Sequence, residues 1–410
     1  MVGVYKYSPK RLTELFQEFC DDGSADKPPP LRSGHVAVKR RNLHVADKHH
    51  IEFFVDYMRD SAVQTIVVEE DYIDRDFLED FAAYHVRSFY PYRRRCARLH
   101  FFSTQFNRKQ FLELVDAAPG AKLTLKALQP NYIGFMVIKP LPSTVVGRTC
   151  LKPYSDDETA KRLYPVIGLE RVDLFGIKLE VYTLPFQEQD RDVAACASSA
   201  LWSIFHATGR LFQHSFPSPA KITAAATLRI GQDDRVLPNG SGLTSRQMAD
   251  AIRSVDLEPY QFALQDQNRD GGEAKSTSDR TSILKIAVAA YSRLGIPCLL
   301  QVQTNDLESP SCQKRRSTHA VAVSGYRMPD VAPVPYGKSG TLFAATRMTK
   351  LYAHDDQVGP FARMEFRDDG SIMTSQVNNA RQRHKIVAVP QTLMVPLYHK
   401  IRIPDRKSVV

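Results

Sequence analysis

From Val193 to Gly209 the chain places Ala197, Ala200, Leu201, Ile204, Phe205 and Thr208 on one face at helical spacing, and Gly209 stands where a left-handed C-terminal cap belongs. Two further helices follow. Thr244 and Gln247 have the spacing of a capping box ahead of Met248, Ile252 and Val255, and a second run from Ser282 carries Ile283, Ala287, Tyr291 and Leu294 up to Gly295. The period then changes. Ile296 to Val302, His319 to Gly325, Leu342 to Ala345 and Lys350 to Asp355 read as strands. A helical first half followed by a sheet-like second half predicts an α+β domain.

Upstream the pattern is mixed. Leu12, Leu15 and Phe16 predict a short helix before a loop at Pro28, Pro29 and Pro30. Gln64 to Glu69 reads as a strand feeding a helix that carries Asp74, Phe77, Leu78, Phe81, Ala82 and His85. Leu99 to Phe102, a helix over Arg108 to Val115, and Tyr132 to Ile138 continue the series. Val172 to Leu184 alternates across a Gly turn and predicts a hairpin delivering the chain to Pro185. These boundaries predict a mixed α/β domain over 1–180 and the α+β domain over 181–410. The acidic run Glu69, Glu70, Asp71 with Asp74 and Asp76 is expected to be a solvated loop and a helix N-terminus.

The 410 residues are 43% apolar and 24% charged, which excludes a disordered or collagenous chain. No apolar run reaches the roughly 20 residues of a membrane span, and the first residues lack a secretory signal, so the expectation is a cytoplasmic protein without membrane contact. Six scattered cysteines, none at C-x-x-C spacing, indicate neither a disulfide framework nor a zinc ribbon. The formal charge of +10 favours acidic partners, but its densest clusters, at residues 39–41, 93–95 and 314–316, lie far apart and are expected to be solvated surface rather than a nucleic-acid track.

A thiol nucleophile needs a stabilised thiolate, a base beside it and a group that orients the base. Cys196 falls at the opening turn of the first helix, where unpaired N–H groups and the helix dipole favour a thiolate and can donate to an oxyanion. Gln189 or Gln187 can supply a second donor. His319 begins a strand rooted by Val321 and Val323. Asp355 ends another with Leu351 and Ala353 on its face, so that its carboxylate can hold the ring. Taken singly, each has a structural reading: a small core thiol, a satisfied core histidine, a turn-forming aspartate. Cys298 reads as core and Cys312 as an exposed thiol with no base beside it. His49, His50, His206, His214, His354, His384 and His399 show no metal-ligand spacing, so no metal and no cofactor are expected; His354 should face away from the site side of its strand.

The segment from Gln189 through Cys196 to Trp202 resembles the glutamine–cysteine–helix signature of papain-like cysteine peptidases, and especially the branch of bacterial enzymes that cleaves bacteriocin leader peptides. His319 to Gly325 is similar to that branch's histidine strand, and Asp355-Asp-Gln-Val-Gly359 to its Asp-Pro-x-x-Gly motif, with Asp356 where proline is usual. The resemblance covers roughly residues 185–360 in short motifs. It implies a papain-like fold and a Cys196, His319, Asp355 triad with a glutamine in the oxyanion hole. That glutamine commonly precedes the cysteine by six positions, whereas Gln189 precedes it by seven and Gln187 by nine, and Ala197 follows it where glycine is frequent. There is no phosphate-binding loop of the export ATPases that accompany leader peptidases.

The sequence therefore predicts a cysteine peptidase or amide hydrolase acting on a protein or peptide, an acidic tail suiting its charge. Two alternatives stand beside it: acyl transfer by the same triad, as in transglutaminase-like enzymes, and a non-catalytic basic module binding nucleic acid or protein.

Overall fold

In the computed structural model the described residues are 2–20, 48–87, 92–141, 144–157, 159–190, 196–228, 242–264, 277–306, 317–336, 340–377 and 385–399. The N-terminal part threads β1 (Val2–Lys6), α1 (Pro9–Phe19), α2 (His49–Asp60), β2 (Thr65–Tyr72), α3 (Arg75–Ala83), β3 (Cys96–Phe102), α4 (Arg108–Val115), α5 (Leu125–Leu128), β4 (Tyr132–Ile138) and β5 (Val146–Leu151). Its five strands form one antiparallel sheet in chain order. Alternation sends Ile66 and Val68 to one face, against Leu15 and Phe16 of α1 and Phe54 and Met58 of α2. Val67 goes to the other face, with Phe77, Phe81 and Phe111. The expected hairpin is present as β7 (Gly168–Leu174) and β8 (Ile177–Thr183), turning on Phe175 and Gly176 with φ of +51° and +88°.

The acidic run departs from expectation in part. Glu69 lies on the expected strand, but β2 runs on through Glu70 and Asp71 instead of giving way to a loop, and Glu69 pairs with Arg98 and with His100 Nε2 at 2.8 Å on the neighbouring strand. Asp74 and Asp76 do stand at a helix N-terminus as expected, Asp74 as the N-cap whose carboxylate accepts the Phe77 N–H at 2.9 Å, but both are buried rather than solvated. A cross-strand pairing of this kind, which holds the Glu69 carboxylate, is not revealed by local sequence.

The C-terminal part comprises α6 (Cys196–Phe212), α7 (Pro219–Ala226), α8 (Ser245–Arg253), β9 (Leu257–Ala263), α9 (Thr277–Arg293), β10 (Cys298–Asp306), β11 (Ser317–Pro329), the short pair β12 (Pro335–Tyr336) and β13 (Thr341–Leu342), β14 (Lys350–Asp355), β15 (Gly359–Phe366), β16 (Ile372–Val377) and β17 (Lys385–Tyr398). Strands β10, β11, β14, β15, β16 and β17 pair in that order, and β10 also pairs with β17, so the sheet closes on itself. One face carries Leu300, Val321, Leu351, Met364 and Leu393 against Leu284 and Val288 of α9. The other carries Leu299, Ala320, Ala322 and Met394 against Leu201 and Phe205 of α6. β6 (Ala160–Leu163) pairs with β11, so residues from both sides of position 180 share this sheet. The whole is α+β.

Three expectations change here. Helix α6 is buried on every side from Ala197 to Gly209, not on one face, because α7, α8, the sheet and the N-terminal part all enclose it. It does not stop at Gly209. It runs to Phe212, and Gln213 takes the left-handed conformation at φ +59°. Gly209 instead makes room for Phe216, since a Cβ there would come within 2.6 Å of that ring. The strand expected over Leu342 to Ala345 is only the two residues of β13, followed by a 3-10 turn at Ala344–Arg347. The capping box at Thr244 and Gln247 forms as expected, and Gly295, at φ +76°, follows the end of α9.

Candidate active site

Cys196 is the first residue of α6 in the described chain and is half-buried. The expected start near Val193 falls in 191–195, outside the described residues. An opening turn offers its free N–H groups and the positive end of the helix dipole to a negative sulfur and to an oxyanion beside it. His319 is the third residue of β11 and Asp355 the last of β14, and both are buried. The two strands are antiparallel neighbours, with Ala322 opposite His354 and Val323 opposite Ala353. Val321, Val323, Leu351 and Ala353 root both strands in one apolar cluster, as the alternation predicts.

The ring and the carboxylate meet directly: His319 Nε2 lies 2.9 Å from Asp355 Oδ1. An ionised carboxylate only accepts, so Nε2 carries the proton, and Nδ1 is left as the nitrogen that can take one from a thiol. Nδ1 is buried and has no partner of hydrogen-bond geometry among the described residues. The Cys196 thiol nevertheless stands close enough to be one of the groups acting on the ring. Burial pushes the imidazole pKa down, but the charge and hydrogen bond of Asp355, then Cys196 and Asp356, outweigh it and carry it well above the usual histidine value. The Asp355 carboxyl moves the opposite way. Burial would raise it, and the imidazolium, the Gln357 N–H at 3.0 Å and the Gln376 amide at 2.7 Å bring it below the usual range.

Asp356 lies farther from the ring than Asp355. Its Oδ1 is 3.7 Å from Nε2, and burial together with the adjacent Asp355 charge, opposed by His319, lifts its pKa. His319, Asp355 and Asp356 bring ligand atoms within 4.8 Å of one another, a donor set that a divalent cation would accept. Within that set His319 Nε2 and Asp355 Oδ1 are already paired with each other.

The two glutamines differ. Gln187 is buried, and its Nε2 donor meets no acceptor among the described residues, whereas Gln189 is half-buried. The segment between them is pinned at Glu188, which pairs with Lys48 and accepts the Val146 N–H at 3.0 Å. Asp190, bonded to His85 Nε2 at 2.8 Å, pins its far end. Gln376 was not foreseen from sequence: it sits on β16, a strand without a chemical motif, and only strand pairing carries it to Asp355.

Three of the remaining candidates, His354, His206 and Cys298, make structural contacts. His354 Nε2 bonds to the Leu184 carbonyl at 2.9 Å, and Nδ1 accepts the Phe361 N–H at 3.1 Å. His206 packs on Trp202 with ring centroids 4.4 Å apart, and burial, then Arg148 and Arg210, hold it well below the usual histidine pKa. Cys298 is buried, and that burial pushes its thiol up to about 12. Cys312, His384 and the basic clusters at 39–41 and 314–316 lie outside the described residues, while Arg93, Arg94 and Arg95 are exposed. A cavity of about 600 Å³ bounded by Phe212, His214 and Tyr398 lies at the far end of α6 from Cys196. No described helix is long and apolar enough to cross a membrane.

No family model matches the chain, and comparison with the curated proteins finds no match.

Proposed function

We propose that the protein is a cysteine peptidase or amide hydrolase of the papain-like kind acting on a protein or peptide substrate. The observation that carries this reading is the His319–Asp355 pair, whose geometry turns Nδ1 free of any carboxylate while Cys196 opens a helix beside it. A closed sheet bearing the base and its orienting group, with the nucleophile's helix packed on it, supports the finer fold assignment.

The steps follow from the residues. The Cys196 thiolate attacks the substrate carbonyl carbon, and the oxyanion is held by the Cys196 N–H and by Gln189, with Gln187 as the alternative donor. The His319 imidazolium gives its Nδ1 proton to the leaving amine as the C–N bond breaks. Water then attacks the thioester, His319 takes its proton, and the acid departs as the thiolate re-forms. Asp355 stays ionised throughout and keeps Nε2–H pointed at itself.

Mass-spectrometric identification of the residue labelled by an electrophilic peptide ketone, run beside N-terminal profiling of peptides cleaved from a bacterial lysate, tests this. Labelling confined to Cys196 and cleavage abolished in folded Cys196→Ala are expected. Undiminished cleavage by Cys196→Ala would refute the assignment.

A further inference from the structure

Three consecutive residues of the N-terminal part each touch the immediate sequence neighbour of a site residue. The Lys48 ammonium pairs with Glu188, which lies between Gln187 and Gln189 on the segment leading to Cys196. His49 Nε2 is 3.0 Å from the Ser375 carbonyl, next to Gln376. His50 Nε2 is 2.8 Å from the Asp356 carbonyl, next to Asp355. One turn further along α2, Phe53 covers Gly359, leaving no room there for a Cβ, and at the far end Asp60 pairs with Arg363 at 3.1 Å.

From this placement we infer that Lys48, His49 and His50 are positioning residues: they lock the cysteine segment and the His319–Asp355 strands to a common frame, which makes the N-terminal part a working component of the catalytic centre. The inference rests on the hydrolase reading above.

Lys48 and Glu188 are both nearly buried, and losing one partner of such a pair is costly because the other is left as an uncompensated buried charge. Burial also lowers the His50 pKa, with the Glu188 charge opposing, and because a carbonyl oxygen only accepts, Nε2 is the nitrogen that donates to Asp356. Each contact is to a main-chain carbonyl or to a carboxylate that itself grips a main-chain N–H. Such contacts fix where the backbone runs, and hence where the side chain one residue away is aimed.

The test uses the full chain and the rate of iodoacetamide alkylation of Cys196 at pH 6, read on its own peptide by mass spectrometry, with circular-dichroism melting as the check on folding. Glutamine places an amide N–H near the position of the histidine Nε2, and asparagine falls short of it. His50→Asn is therefore expected to slow alkylation by about tenfold or more, while His50→Gln stays within about twofold of the parent. Lys48→Met examines the other arm on the same readout and decides the matter should His50→Asn fail to fold. Rapid labelling of the parent with equally rapid labelling of folded His50→Asn and Lys48→Met overturns the brace and leaves the hydrolase reading standing. A parent thiol that labels no faster at pH 6 than an ordinary cysteine overturns the hydrolase reading and the brace with it.

Discussion

Gln376 donates its side-chain amide to Asp355 Oδ2 at 2.7 Å, the oxygen that His319 does not use, so the carboxylate is gripped from two strands at once. With the Gln357 N–H on Oδ1, the group that aims the imidazole is itself aimed. Gln376→Leu removes a hydrogen bond to a buried charge and is expected to cost about 1.5–3 kcal/mol of stability in urea titrations. The same change should reduce turnover about tenfold by letting the ring drift. Unchanged turnover in a folded Gln376→Leu protein would show that Asp355 needs no second hold.

The charge of Asp355 sustains the raised pKa of His319. Asp355→Asn keeps an oxygen near Nε2 but removes the charge, so the ring should titrate closer to the ordinary histidine value of about 6.5. The sign is fixed: a histidine raised in the folded state contributes stability below about pH 6.5 that is lost as pH climbs through the higher folded value. An NMR titration of the His319 ring should find it still protonated above that value in the parent and largely neutral there in the variant.

Asp356 is the opposite kind of acid, with a folded pKa raised to about 7, mainly by burial. Between its ordinary value and 7 the folded state holds a proton that the unfolded state has released, so stability from this group is complete at low pH and declines as pH rises to 7. Asp356→Asn should flatten that decline, gaining at least about 1 kcal/mol relative to the parent at pH 8 compared with pH 5. Urea melts at the two values measure it, and parallel curves would mean that Asp356 ionises freely.

Gly359 has a φ of +156° and lies under the ring of Phe53. Gly359→Ala adds both backbone strain and a clash, and a loss of about 1–3 kcal/mol is expected in urea titrations. Because the glycine ends the turn that starts at Asp355, a folded variant should also label more slowly at Cys196. Stability equal to the parent would show that Phe53 yields readily.

Selective alkylation is the corollary for the other thiols. Cys20, Cys96, Cys150 and Cys298 are buried, and burial raises the thiol pKa of the last three. In the native protein, brief iodoacetamide treatment at pH 6 should modify Cys196 ahead of these four. Comparable labelling of Cys298 would mean that its strand opens.

Local chemistry was written plainly in the residue order. The capping box at Thr244 and Gln247, the turn at Phe175 and Gly176, the Gly295 stop, and the strands of His319 and Asp355 all depend on neighbours within a few positions. Periodicity also rooted those two strands correctly, because Val321 and Ala353 must face an apolar partner wherever it comes from. What the residue order left undetermined involves pairing across long stretches of chain. Gly209 reads as a helix stop until Phe216 is known to occupy its missing Cβ, and the Glu69 carboxylate reads as solvated until Arg98 and His100 lie beside it. The choice of Asp355 over Asp356, the second hold from Gln376, and the Lys48 to His50 contacts belong to the same class. Each depends on strand register and on which surface a helix docks against. Those are set by burial summed over the whole molecule, a quantity no local pattern carries.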